Sequence, residues 1–72
     1  MTTTKAIRTL NAARCYFVTA LPEVLDRQAL ESQIVRYGNS GRRLDLVAAE
    51  WDVELWAVEA VAAVLCDTEH AA

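Results

Sequence analysis

A chain of 72 residues, 54% of them hydrophobic and with a formal net charge of −3, holds one domain and buries only about 60% of its unfolded surface. The acidic balance argues against a general polyanion binder and favours a basic partner. The first residues, M-T-T-T-K-A-I-R-T-L, show no apolar core followed by a small-residue cleavage site, so the expected setting is cytoplasmic, with Cys15 and Cys66 reduced and buried among apolar neighbours.

In chain order, Thr2 to Thr4 offer hydroxyl caps for a helix over about 5–20. Ile7, Leu10, Phe17 and Leu21 form its apolar stripe, with Ala13 and Ala20 beside it. The run C-Y-F-V-T has strand-like residues, but there is no second strand for it to pair with. Pro22 suits the first turn of a second helix over 22–37, and Glu23 suits the positive end of its dipole. That helix is apolar on two sides, Leu21, Val24, Leu25 and Val35 against Leu30, Ile34 and Tyr37, which predicts an element sandwiched between its own chain and a second copy. Gly38 is expected to end it in the left-handed conformation, and Gly38-Asn39-Ser40-Gly41 reads as a connector without a phosphate-cradle motif.

Two architectures compete for the helical stretch 42–66. In the first it is one unbroken helix, with Leu44, Ala48, Trp51, Leu55, Val58, Ala62 and Leu65 recurring at alternating steps of four and three. That spacing is a heptad seam, and it predicts a core or dimer interface along the helix. In the second, Asp52 caps a new helix and the chain bends there. The spacing Val47, Ala48, Trp51, Asp52, Val53, Val58, Val61 is similar to the helix-turn-helix pattern, over about a third of the chain, with Asp52 where a glycine commonly sits. That resemblance implies a DNA-binding regulator whose last helix enters the major groove, with Arg36, Arg42 and Arg43 as phosphate contacts.

The chemistry of the last helix decides between functions. V-E-L-W-A-V-E-A-V-A-A-V-L-C, from Val53 to Cys66, is apolar over nearly its whole circumference, so it is expected to be buried on all sides at the centre of the fold or of a dimer. It is too short to span a membrane and has Glu59 in its middle. It contains no cation, whereas groove-reading helices present cations and amides to bases and phosphates. The segment A-E-W-D-V-E-L-W-A-V-E instead interleaves Glu50, Asp52, Glu54 and Glu59 with Trp51 and Trp56. On a continuous helix the two indoles point about 140° apart, so one lies near the surface. An exposed tryptophan beside carboxylates is the composition of a hot spot for a basic protein.

The leading expectation is therefore a small acidic interaction module that binds and inhibits or regulates a larger protein by covering a basic nucleic-acid-binding surface. In size and acidity the chain resembles small phage-encoded inhibitors such as anti-CRISPRs and anti-activators, a resemblance of type that carries no residue over. No catalytic set, cofactor or metal site is expected: His70 is the sole histidine, and Cys66 with His70 supplies two of the four ligands that a structural zinc needs. The expected fold is all-α, a single domain over 1–72 with three or four helices, a tail over 67–72 and a homodimer that covers surplus apolar surface.

Overall fold

The structure, a computed structural model, describes residues 4–66. The threonine caps at 2 and 3, the tail from 67 and His70 lie outside the described residues. Four helices and no strand are formed among those described: α1 (Thr4–Ala20), α2 (Val24–Asn39), α3 (Leu44–Trp51) and α4 (Leu55–Leu65). Of the two architectures open for 42–66, the bend at Asp52 is the one formed, although Asp52 ends α3 rather than capping α4, whose N-cap is Glu54.

The first helix continues through the strand-like C-Y-F-V residues because Leu10, Ala13 and Phe17 bury along one face. Burial of the Phe17 ring alone contributes on the order of 1.5–3 kcal/mol. Ile7 and Ala20, expected in the same stripe, are exposed. α1 stops at Ala20 because Pro22 disfavours helical backbone at the residue before it. The freed carbonyls of Leu21 and Pro22 both accept from Arg27 Nη1, at 2.8 and 2.9 Å.

α2 begins two residues later than the sequence suggests. Glu23 has extended backbone (φ −78°, ψ 127°) and caps the helix, which leaves Pro22 in the connection. The far end also differs. Gly38 stays helical, and Gly41 takes the left-handed conformation at φ 72°. The Arg42 N–H donates to Tyr37 O and the Gly41 N–H to Gly38 O, the paired bonds of a Schellman cap. Gly38 is needed for a different reason: a Cβ there would lie 2.5 Å from Cys66 Sγ. It lets the end of α4 lie against α2.

One side of α2 is covered fully and the other in part, through the half-buried Leu21 and Val35. Leu30 and Ile34 are fully buried, whereas Val24 and Leu25 at the opposite side are exposed. The packing within one copy expected of one side is made by Leu30 and Ile34, and Val24 and Leu25 stay uncovered in a single copy.

The α3–α4 junction repeats the same capping chemistry without glycine. Asp52 sits at φ 56°, ψ 47°, a conformation that Asp and Asn tolerate better than other non-glycine residues. The Val53 N–H reaches Ala48 O at 3.0 Å and the Asp52 N–H reaches Ala49 O at 3.3 Å. The continuous heptad seam is broken at this point because three residues leave the helix.

The core gathers Val47 and Ala48 of α3 with Ala57, Val58, Ala60, Val61 and Ala62 of α4, closed by residues of α1 and α2. α4 packs against all three other helices, most extensively α1. Its alanines let those helices approach closely. Of the proposed seam residues, Ala48, Val58 and Ala62 are buried, Leu44 and Leu65 are half-buried, and Leu55 is exposed. Cys66 is buried, while Cys15, expected inside, is exposed on α1. Position 15 lies away from the stripe that Leu10, Ala13 and Phe17 turn inward.

Candidate functional site

The burial of Ala57, Val58, Ala60, Val61 and Ala62 turns a definite set of α4 side chains outward. Leu55 is 39% and Trp56 45% exposed, and Glu54, Glu59 and Ala63 are exposed with them. The expectation that the last helix is buried on all sides is thus corrected for its first turn. The exposed face continues to Glu59 and Ala63, and in the first turn the large apolar side chains of Leu55 and Trp56 meet water.

Trp56 is not isolated. Its ring centroid lies 5.7 Å from that of Tyr16 on α1, tilted by 48°, and Tyr16 lies 5.4 Å from the buried Phe17. This chain of tilted rings leads from the core to the surface, a favourable aromatic geometry. The Tyr16 hydroxyl accepts the Glu54 N–H at 3.0 Å. Glu54 has no side-chain cap of its own, so a tyrosine from another helix satisfies one of the orphan N–H groups at the start of α4.

The six residues expected to bind a partner divide into two groups. Trp51 is half-buried and donates its indole N–H to Gln33 Oε1 at 2.6 Å. Gln33 Nε2 in turn donates to Glu50 Oε1 at 3.0 Å. Glu50 and Trp51 are thereby tied to α2, whereas Glu54 and Trp56 are tied to α1. Asp52 is exposed at the turn between them, and Glu59 is exposed one helical turn beyond Trp56.

Tyr16 and Gln33 were missed from the sequence. Tyr16 lay in a run that reads as β-prone, and a glutamine on a helix gives no signal of the indole it will meet across 18 residues of chain.

The cations also separate into two kinds. Arg14 forms a two-pronged pair with Glu31 at 3.2 Å, and Arg43 pairs with Asp45 across two residues. Hydrogen bonding from Arg43 is the main cause that holds the Asp45 carboxyl below the usual carboxylate range, with the N–H groups at Asp45 and Leu46 adding to it. Asp45 therefore fills the start of α3. Arg36 and Arg42, by contrast, stand beside a small cleft with Tyr37 and Ser40.

Among the described residues no polar or charged side chain is buried, and no three His, Cys, Asp or Glu side chains are grouped as a metal site would require. The expected weakness of a Cys66–His70 pair as a ligand set falls partly outside the described residues. No helix among them is long and apolar enough to cross a membrane.

These features define a small all-α bundle in which a helix, a left-handed turn at Asp52 and a second helix carry an outward face of Glu54, Leu55, Trp56 and Glu59. No protein-family model matches the chain, and no curated protein or solved structure matches it either.

Proposed function

We propose that the chain is a non-catalytic protein-binding module that inhibits or regulates a larger protein by docking the outward face of α4 on a basic surface, such as one used for nucleic acid. The observation that carries this reading is the composition of that face: Leu55 and Trp56 at 39% and 45% exposure, flanked by Glu54 and Glu59, with no cation on the helix. An exposed indole supplies area to bury, and carboxylates around it steer a basic partner and set its orientation. Tyr16 extends the aromatic surface onto α1.

A second reading, a DNA-binding helix-turn-helix regulator, is favoured by one observation. Val47, Ala48, Val58 and Val61 are buried around the turn at Asp52, which suits the resemblance in spacing. Against it, the helix that would enter the groove presents two carboxylates to the phosphates. Homodimerisation through other exposed apolar side chains is a further part of the proposal, supported by Leu25 at 77% exposure beside Val24 in the first turn of α2.

The test is affinity capture from nuclease-treated bacterial lysate with the parent chain, Trp56→Ala, and Glu54→Lys/Glu59→Lys. A basic protein retained by the parent is expected to be lost from both variants, Trp56→Ala costing about 2 kcal/mol or roughly thirtyfold in affinity. Retention that ignores both variants removes the α4 face from the interaction. A DNA complex that is lost at high salt and in Arg42→Ala/Arg43→Ala would favour the regulator instead. Sedimentation of the parent and Leu25→Glu checks the dimer.

A further inference from the structure

Two clefts run side by side along α2 and share Arg36 and Tyr37. One, of about 330 Å3, is bounded by Ser32, Gln33 and Trp51 beside the shared pair. The other, of about 230 Å3, is bounded by Ser40 and Arg42. Together they present an aromatic, amide-bearing half and a cationic half.

The cationic half brings two arginines without a carboxylate partner among the described residues to one cleft. Arg14, Arg27 and Arg43 are engaged by Glu31, by backbone carbonyls and by Asp45. The side chains of Arg36 and Arg42 are exposed and have no carboxylate partner among the described residues. Arg42 is nonetheless placed: its guanidinium carbon lies 5.6 Å from the Tyr37 ring centroid, a stacking that orients the group while leaving its N–H donors available. The N–H groups of Ser40, Gly41 and Arg42 are spent on the helix cap, so any anion here is held by side chains. Two planar guanidinium forks, the Ser40 hydroxyl and the Tyr37 phenol border one cleft, a donor set of the kind that binds phosphate.

The neighbouring half extends the match. Trp51 is held by its bond to Gln33, and it offers ring surface at the wall of the cleft next to Tyr37, while Gln33 and Ser32 add polar groups. We propose that the joined cleft binds a small phosphorylated ligand with a flat ring, of the mononucleotide class. The phosphate lies between Arg36 and Arg42, and the ring lies toward Trp51. A volume of about 330 Å3 for the ring-side cleft is at the small end for ligand sites. A polymer is disfavoured, because nucleic-acid affinity grows with the number of phosphates neutralised. This chain offers two such cations here, with Glu50 bonded to Gln33 alongside and a net charge of −3. The site is separate from the α4 face and stands or falls independently of the protein-binding reading.

The experiment is a titration followed by 1H–15N NMR, with inorganic phosphate, adenosine monophosphate and a short DNA duplex as probes. The mononucleotide is expected to shift the Trp51 indole N–H and the amides of 36–42 saturably at millimolar concentration or below. Inorganic phosphate is expected to shift 36–42 alone and more weakly. Arg36→Gln and Arg42→Gln, both at exposed positions, are each expected to weaken the mononucleotide about tenfold with an unchanged circular dichroism spectrum. The proposal is overturned if about 10 mM mononucleotide produces no saturable shift, or if the shifts survive both substitutions. Equal shifts around Arg8 would mean general charge screening and also overturn it. Saturation by the duplex in the absence of any mononucleotide effect would assign the cleft to nucleic acid instead.

Discussion

Substituting Gly38 by alanine tests the packing of α2 against the end of α4. The added Cβ would lie 2.5 Å from Cys66 Sγ and 3.3 Å from Cys66 Cβ, so one helix must shift. Cys66 cannot swing away freely, because its thiol sits 3.8 and 3.7 Å from the carbonyl oxygens of Ile34 and Val35 in the same helix. Overpacking of this kind costs about 1–3 kcal/mol. Replacing glycine by alanine in a helix returns up to about 1 kcal/mol, and less in a last turn. The net expectation for Gly38→Ala is a loss of about 1–2 kcal/mol, or about 4–8 °C in melting temperature per kcal/mol for a domain of this size.

A double-mutant cycle makes the cause specific. Cys66→Ala removes the sulfur and alone costs about 1 kcal/mol in lost contacts. With the sulfur gone, Gly38→Ala is expected to become nearly neutral, giving a coupling of about 1–2 kcal/mol between the two positions. Urea denaturation of the four proteins, followed by circular dichroism, measures it. If Gly38 were instead the left-handed cap, alanine would cost the same with or without the sulfur. A parallel pair of losses, or a Gly38→Ala protein more stable than the parent, would refute the close-approach argument.

Asp52→Gly should stabilise by up to about 1 kcal/mol, since glycine takes the left-handed conformation at no steric cost; in an unbroken helix the same change would destabilise, so the sign of the shift in urea midpoint identifies the bend. Tyr16→Phe should cost about 1 kcal/mol by leaving the Glu54 N–H without its acceptor, read as a lowered midpoint with the aromatic near-ultraviolet signal retained. The Asp45 carboxyl should titrate below its ordinary 3.8, and the midpoint should rise toward that value in Arg43→Gln when followed by carboxyl 13C NMR. Because the folded-state pKa is the lower one, the stability this pair contributes is present above the ordinary carboxylate pKa and is lost as pH falls through the depressed one. Asp45→Asn should therefore lower stability slightly at neutral pH, leave it little changed at acid pH, and so flatten the acid limb of the stability curve.

Much of the helical plan is legible from apolar spacing. Leu10, Ala13 and Phe17 bury as their spacing suggests, and so do Leu30 and Ile34. What spacing does not resolve is where the left-handed residues fall. Gly38 is the cap that the sequence suggests, yet Gly41 takes the left-handed conformation, and Gly38 is required instead by a thiol 28 residues further on. Asp52 is a weaker signal still. Leu44, Ala48, Trp51, Leu55 and Val58 satisfy a heptad equally well whether or not the chain turns between them, and only the closure of α3 and α4 on one another favours the turn. The candidate site was partly legible: Trp56 with Glu54 and Glu59 share the exposed start of α4. Trp51 and Glu50 were grouped with them on sequence proximity, yet the turn at Asp52 leaves them bonded to Gln33 on α2.

That same turn explains how one helix can serve the core and still present a binding face. The residues that close α3 on α4, namely Val47, Ala48, Val58 and Val61, are all buried, so the exposed side chains at Glu54, Leu55, Trp56 and Glu59 are free of any role in closing it. Substitutions at the exposed Glu54 and Glu59 shift stability by about 0.5 kcal/mol or less, whereas Trp56 also contributes its ring contact with Tyr16. An alanine or lysine at position 56 would suit a solvated helix better than an indole at 45% exposure, since exposed aromatic surface invites association. The indole tilted against Tyr16 is the part of this face that the proposed reading assigns to a partner. On the proposed reading the partner reverses this exposure, burying Trp56 and Leu55 while its cations meet Glu54 and Glu59.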